Sequence, residues 1–587
     1  MKVCLGQINT TPGDFAGNLA AIFEGIDVAS RAVCDVVVFP ELCIPGYLGQ
    51  DLLYHPAYVD ANLKALAQVR EYTRSCFPGL HVVVGYINRN PAPGKPFLNS
   101  AAVLRHGEVV GIYSKQLIPF YDVFDELRYF EPGTDLLMVE IAGVPTGIAI
   151  CEDLWNDKGS DDYSYSENPM QQYREAGARV LLSLNSSPYV HDKAWQRISV
   201  ISPGTKADLT VVYVNQWGGQ DELVFDGHSF VVRGGDLLHL TADVTRNRYD
   251  VVDIEKTPPC VPQLDRPGAK AEVLLPTVPL YDLVVLGLRD YAGKSGFGEL
   301  VLASSGGVDS AVVCQIACDA VGADKVHAIR MPSVYSSDHS RTDAMLLHQN
   351  LGCWDYEVPV EHHEILDSLA AAYGKFSDVD LNLVTRVMRQ ERYASVADEN
   401  IQARLRDVFL MHFSNAYGAM PLSTGNKTES ACGYYTHFDM NFSYAPIKDL
   451  YKYQVFDFAR QSPAVPQNIW QKPPSAELAH GQTDEQSLLP YPVLDPVVRA
   501  YVEDYISDLV TFSGWVDERL GAAERISGDT AVLLSWLVQE TAPRDFSRII
   551  SLMGRMEYKR RQTCPGTKVS KVAFGIGRRI PIVEKWS

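Results

Sequence analysis

The 587-residue chain has no uninterrupted apolar stretch approaching the ~18 residues of a membrane span. Its opening, MKVCLGQINTTPGD, turns polar too early for a secretory signal. Basic charge is scarce. With 52 Lys and Arg against 72 Asp and Glu, the net charge is −20, which argues against a nucleic-acid backbone as the main partner. A small anionic nucleotide is not excluded, because it needs only one locally positive pocket. The 11 cysteines include no CxxC pair, so neither a zinc ribbon nor a disulfide scaffold is expected. They read instead as mostly small buried apolar residues of a protein in a reducing, cytoplasmic setting. Low-complexity tracts and repeats at solenoid periods are also missing.

What is present is an ordinary globular composition, 46 % hydrophobic and 21 % charged. It lies on a chain long enough for more than one core, since single cores stop growing near ~250–300 residues. Short apolar runs punctuate the first part: DVVVFP (35–40), HVVVGY (81–86), TGIAIC (146–151), RVLLSLN (179–185), LTVVYVNQ (209–216) and HSFVVRGG (228–235). With amphipathic stretches at 18–33 and 60–75 between them, they predict a layered α/β domain over residues 1–255. The segment KTPPCVPQLDRPGAKAEVLL (256–275) holds four prolines and little periodicity, and reads as a linker. From 276 to 587 a helical stretch (280–292) precedes strand–helix alternation, which predicts a parallel sheet.

At the start of that alternation stands LVLASSGGVDSAVV (300–313). An apolar strand, a Gly-Gly turn and a helix start aim backbone N–H groups at an anion, at the positive end of a helix dipole. Gly306 and Gly307 permit close approach, Ser304, Ser305 and Ser310 offer hydroxyls, Val308 opens the helix, and Asp309 is a candidate Mg²⁺ ligand. No Gly-Lys-Ser/Thr closes the loop, so it is not a Walker motif. Ser-Gly-Gly-x-Asp-Ser in this context resembles the pyrophosphate loop of the ATP pyrophosphatases, which adenylate a carboxylate or carbonyl-like oxygen. The resemblance leaves the substrate open among GMP, asparagine and NAD synthetases.

Three separated residues carry the other chemistry. Glu41 ends an apolar run in VVVFPEL, Lys115 sits in IYSKQLIPFYDVFDELRYF, and Cys151 ends GIAIC before Glu-Asp-Leu-Trp. Singly, each has a plain explanation as a core thiol or a solvated charge. Together they suit amide cleavage. Glu41 can take the thiol proton and pass it to departing ammonia, while Lys115 can favour thiolate and steady the oxyanion. The Cys at a strand end is expected on a sharp turn. The ordered trio resembles the nitrilase (carbon–nitrogen hydrolase) family and implies an αββα sandwich. By position the resemblance makes Glu41 the base, Lys115 the supporting cation, Cys151 the nucleophile and Glu126 the second glutamate bracing the lysine. It places Tyr121, Glu152, Ser187 and Lys193 on the glutamine.

An amidase of this kind ahead of an ATP-pyrophosphatase loop resembles the glutamine-dependent NAD synthetase family. RMPSVYSSDHS (330–340), ADENIQARLR (397–406), LSTGNKTESACGYYT (422–436), APIKDLYKYQV (445–455), PPSAEL (473–478) and EYKRRQ (557–562) match its motifs in order. The resemblance implies that Met331, Thr424, Lys452 and Ser475 join the loop on ATP. It puts Asn400, Arg404, Glu429 and Lys559 on deamido-NAD, and Asp309 with Glu429 on magnesium. It also implies a homo-oligomer whose substrates are glutamine, ATP and deamido-NAD. Ammonia would protonate in bulk water, so an enclosed route between the two reactions is expected. HFDMNFSYAP (437–446) departs from the family's Gly-rich run and is expected to stiffen that loop. Two rival readings stay open: an amidotransferase acting on another carboxylate or a base carbonyl, and a non-catalytic binding protein.

Overall fold

The computed structural model describes residues 1–156, 165–206, 208–261, 277–374, 396–436, 442–475, 477–478, 484 and 488–582. The chain forms two compact units, Met1–Leu283 and Val284–Ser587. Most of the expected linker, from 262 to 275, lies outside the described residues.

The first unit is built on two six-stranded sheets. One has the order β14-β1-β2-β3-β4-β5, from Arg248–Asp253, Lys2–Gln7, Val36–Val38, His81–Arg89, Phe97–Arg105 and Glu108–Ser114. The other runs β13-β12-β9-β8-β7-β6, from Asp236–Thr241, Ser229–Arg233, Thr210–Asn215, Val180–Asn185, Val144–Ile150 and Met138–Ile141. Each has parallel strands at its centre (β1-β2-β3 and β7-β8-β9) and antiparallel strands outside them.

The alternation of side chains decides the layering. Val36, Val38, Val83 and Val103 share one core with Ile148, Ile150, Leu182 and Val212 of the second sheet. Their neighbours Val37, Val82, Val84 and Leu104 face the other way, onto Leu19, Ile22 and Ile26 of helix Phe15–Arg31 and Val69 of helix Pro56–Tyr72. That period of two lets one strand serve two layers, and the result is the αββα sandwich. The 180–185 and 210–215 strands are buried throughout, as parallel strands covered on both faces should be.

In the second unit four parallel strands take the order β17-β16-β15-β18: Trp354–Glu357, Val326–Arg330, Leu300–Ala303 and Met420–Leu422. The chain steps one way from β15 through β16 to β17, then returns to the other flank of β15 with β18. The strand order therefore reverses at β15, and the crevice beyond its carboxyl end is the usual ligand position in such sheets. After the sheet come helices Tyr491–Glu503, Leu509–Gly521, Thr530–Leu537 and Ala542–Arg555. They close around Leu494, Val498, Phe512, Trp515, Leu533 and Phe546.

Candidate active sites

Glu41, Lys115 and Cys151 each follow the carboxyl end of a strand, after β2, β5 and β7 respectively. All three are buried. Lys115 Nζ donates to Glu41 Oε1 at 2.7 Å and to Glu126 Oε2 at 2.9 Å. Asn99 also donates to Glu41 Oε1, at 2.7 Å, and Tyr47 Oη donates to the other oxygen of Glu126 at 2.9 Å. Glu41 Oε2 is the remaining acceptor, buried and without a hydrogen-bond partner among the described residues. Burial pushes Glu41 up to about 7, against the opposing pull of Lys115.

Cys151 sits on the expected sharp turn, at φ 45°, a left-handed conformation uncommon outside glycine. The turn continues as the short 3₁₀ segment Cys151–Leu154. Burial and the negative charge of Glu41 push the thiol well above its ordinary range, and Lys115 only partly offsets them. Lys115 does favour the thiolate, but its charge is shared between two carboxylates and desolvation wins, so the resting group is the thiol. The arrangement suits transfer of the thiol proton as attack proceeds.

Asp153 holds the pieces together, and the sequence reading missed it. Its Oδ1 accepts the backbone N–H groups of Gln116 and Leu117 at 3.1 and 2.9 Å. Its Oδ2 accepts Tyr113 Oη at 2.8 Å and Ile150 N–H at 2.9 Å. One side chain thus fixes the segment after Lys115 against the turn of Cys151. Next to it, Glu152 accepts Tyr121 Oη at 3.0 Å and Tyr165 Oη at 2.9 Å. Lys193 Nζ lies 4.2 Å over the Trp155 ring, and Ser187 Oγ accepts Arg197 Nε at 3.2 Å. Arg197 is fully buried and pairs with Asp226 at 2.8 and 3.0 Å. Asp226 in turn accepts a bond from the ring of His228 at 2.8 Å.

In the second unit the loop leaves β15 and Gly307 precedes helix Val308–Val321, whose first residue, Val308, is buried in the core. Gly306 has φ 76°, and a Cβ there would stand 2.3 Å from the Ser340 carbonyl oxygen, so only glycine fits. Ser310 Oγ accepts Ser305 N–H at 3.3 Å and donates to Gly307 O at 3.0 Å, which curls the loop. Ser304 departs from expectation. Its hydroxyl is buried and bonded to His348 at 2.9 Å, and its N–H goes to Ile329 O at 2.8 Å, so both groups serve the fold.

Asp309 Oδ1 accepts Asn426 Nδ2 at 2.8 Å, which joins the loop to the segment leaving β18. Asp309 Oδ2 and Glu429 Oε1 both accept Lys452 Nζ, at 2.5 and 3.0 Å. Lys452 is buried, so it neutralises the two carboxylates rather than projecting as a free cation. Burial pushes Glu429 up to about 7, with Lys452 opposing. Two hard oxygen donors converging on one positive charge also suit Mg²⁺, which takes one or two carboxylates and completes its shell with water and phosphate.

Two family models match the chain, carbon-nitrogen hydrolase over residues 2–234 and NAD synthase over 280–513. The glutamine-dependent NAD(+) synthetase of Thermotoga maritima is 33 % identical over 630 residues, covering 100 % of this chain and 99 % of the relative. That of Xanthomonas campestris is 35 % identical, covering 100 % and 98 %. The chain belongs to the glutamine-dependent NAD(+) synthetase family. Among solved structures, the Acinetobacter baumannii glutamine-dependent NAD+ synthetase in complex with ADP is similar with a TM-score of 0.68 and 31 % identity, covering 100 % of this chain and 99 % of that one. The Cytophaga hutchinsonii synthetase shares the fold at a TM-score of 0.74 and 19 % identity, covering 100 % and 98 %.

The residues expected on the NAD side of this synthetase are brought together less tightly. Glu429 lines a pocket with Ser423, Gly425, Tyr435, Lys448 and Cys564. Lys559 Nζ donates to the carbonyls of Gly433 and Tyr435, both at 2.8 Å, so it braces the segment bearing Tyr435. Asn400 accepts Thr436 Oγ1 at 2.8 Å, whereas Arg404 is exposed one turn along the same helix, Val396–Tyr417. Thr424 is half-buried after β18, and buried Met331 follows β16 and accepts Arg406 Nε through its carbonyl at 3.0 Å. Ser475 Oγ accepts Glu477 N–H at 3.1 Å, and Glu477 accepts the hydroxyls of Ser337 and Ser340 at 2.9 and 2.7 Å. In the altered segment 437–446, residues 437–441 lie outside the described ones. Among the described residues no helix is long and apolar enough to cross a membrane.

Proposed function

We propose that this chain makes NAD from deamido-NAD, using glutamine as nitrogen donor and ATP as activating agent, and releasing glutamate, AMP and pyrophosphate. The observation that carries the reading is Glu41 Oε2: a buried carboxylate oxygen with no hydrogen-bond partner among the described residues, in the same charged cluster as the Cys151 thiol and Lys115.

In the first unit Cys151 Sγ attacks the side-chain amide of glutamine while its proton passes to Glu41. Lys115 faces the developing oxyanion, and its two carboxylate partners keep it charged and fixed. Glu41 then hands the proton to the leaving ammonia, and water resolves the γ-glutamyl thioester. Tyr121, Glu152, Ser187 and Lys193 orient the glutamine, Glu152 receiving its amino group. In the second unit the nicotinate carboxylate of deamido-NAD attacks the α-phosphate of ATP, and the N–H groups of the 305–310 loop receive the pyrophosphate. Thr424, Met331 and Ser475 border the nucleotide, while Asn400, Arg404 and Lys559 border the dinucleotide. Mg²⁺ held by Asp309 and Glu429 would neutralise the phosphates, with Lys452 yielding its place between them. Ammonia then displaces AMP and leaves the carboxamide. The chain works as a homo-oligomer in the cytoplasm, and its ammonia crosses between the reactions inside the protein.

The test supplies ATP and deamido-NAD with either glutamine or ammonium, and reads NAD and AMP. Both nitrogen sources should yield NAD with AMP in equal amount. No NAD from either one overturns the reading.

A further inference from the structure

The helix that begins in the ATP loop, Val308–Val321, carries Cys314 and Cys318, four residues apart and therefore on one face. A third thiol meets them. Gly352 (φ 75°) ends helix Asp338–Leu351 in the left-handed conformation, and the following Cys353 turns back with its N–H on His348 O at 3.3 Å. Cys353 Sγ lies 3.8 Å from Cys314 Sγ, and all three sulfurs fall within 4.8 Å of one another.

We propose that Cys314, Cys318 and Cys353 form a binding site for a single soft d¹⁰ metal ion, held by three thiolates. The spacing fits. Three sulfurs around one ion at the usual ~2.3 Å bond length stand about 4 Å apart. The ligand class fits as well, because thiolate donors select copper(I) and zinc over hard ions. Among the described residues no histidine, carboxylate or further cysteine completes the group. The nearby His348 ring is already engaged, with Ser304 at 2.9 Å and Asp355 at 2.6 Å. A three-sulfur set satisfies copper(I) as it stands, whereas zinc needs a water as fourth ligand. On loading, each sulfur–metal bond replaces an S–H bond, so up to three protons leave and no electrons move. A disulfide would need the sulfurs at ~2.05 Å, and at 3.8 Å the Cys314–Cys353 pair is unbonded.

Full-length, reduced, metal-free protein is given copper(I) or zinc under anaerobic conditions with a competing chelator, then desalted. Retained metal is counted by mass spectrometry, and the sulfur-to-metal charge-transfer band is recorded. About one ion per chain should remain in the parent protein, and retention against the chelator should weaken by about tenfold or more in Cys353→Ser. Cys318→Ser serves as the second variant, in case the first does not fold. Cys151→Ala should keep the ion, since its thiol is elsewhere. Equal retention in parent and Cys353→Ser, loss in Cys151→Ala, or metal removed completely from the parent would each overturn the site. So would a thiol count showing that two of the three join in a disulfide when the protein is exposed to air, in a protein that refuses metal when reduced.

Discussion

Lys115 is bound to Glu41 through one carboxylate oxygen, at 2.7 Å, and leaves Glu41 Oε2 without a hydrogen-bond partner among the described residues. The lysine is thereby committed to two acids, and the base keeps one free acceptor for the thiol. Burial holds Glu41 at about 7, far above an exposed glutamate, so its ionisation falls within the working range. Below that pH the carboxyl is protonated and cannot accept from Cys151. Glutamine-driven kcat/KM should therefore climb as pH rises through about 7. Glutamate release measured across the range checks this, and a flat profile contradicts it.

Asp153 touches no substrate in the proposed mechanism, yet its four hydrogen bonds tie the Lys115 segment to the Cys151 turn. Asp153→Asn puts an amide nitrogen against buried donors, at about 1–3 kcal/mol for each donor left unpaired. Thermal melting should show a less stable first unit. Glutamine-driven NAD formation should fall by about tenfold or more, while ammonium-driven formation holds. Equal loss with both nitrogen sources would contradict this positioning role.

Gly306→Ala tests the loop of the second unit. The left-handed backbone alone costs about 1–2 kcal/mol for a residue with a Cβ. The new atom would also meet the Ser340 carbonyl at 2.3 Å. The variant should lose NAD synthesis from glutamine and ammonium alike through a raised KM for ATP. Glutamate release without ATP should persist at its basal rate.

The Arg197–Asp226–His228 cluster predicts a stability profile. Burial alone would raise Asp226, but Arg197 and His228 hold it down to about 2. An unfolded aspartate titrates near ~3.9, so the cluster contributes fully above about pH 4 and its contribution is lost as pH falls through about 2. Asp226→Asn leaves a buried guanidinium without its counter-charge and should cost about 3–5 kcal/mol. Denaturant melts at neutral pH check the magnitude. The variant's stability should also depend less on pH than the parent's in the acid range.

The sandwich was legible where buried parallel strands write continuous apolar runs. DVVVFP, RVLLSLN and LTVVYVNQ all fall on observed strands. The outer strands were not. Glu108–Ser114 is largely exposed and alternates too weakly to stand out, and Met138–Ile141 is only four residues long. The helices after residue 490 were also unread, because their motifs carry no chemistry to anchor them. At the site, residue types that do chemistry announced themselves at strand ends, whereas those that hold it in place did not. Asn99 and Tyr47 come from distant positions, and Asp153, two residues after Cys151, matters through contacts that only the fold creates. Ser304 shows the converse: a hydroxyl in a phosphate-loop motif, turned inward to His348 by a strand pairing that the motif alone does not reveal.

The division of labour between the two units is tested most directly by Cys151→Ala. Removing the thiol takes away the nucleophile and leaves the 305–310 loop and its partners untouched. NAD formation from ATP, deamido-NAD and glutamine should fall to background, while the same protein given ammonium should make NAD at close to the parent rate. If both nitrogen sources fail together, or if glutamine still serves, the account of Cys151 as the separate source of ammonia is contradicted.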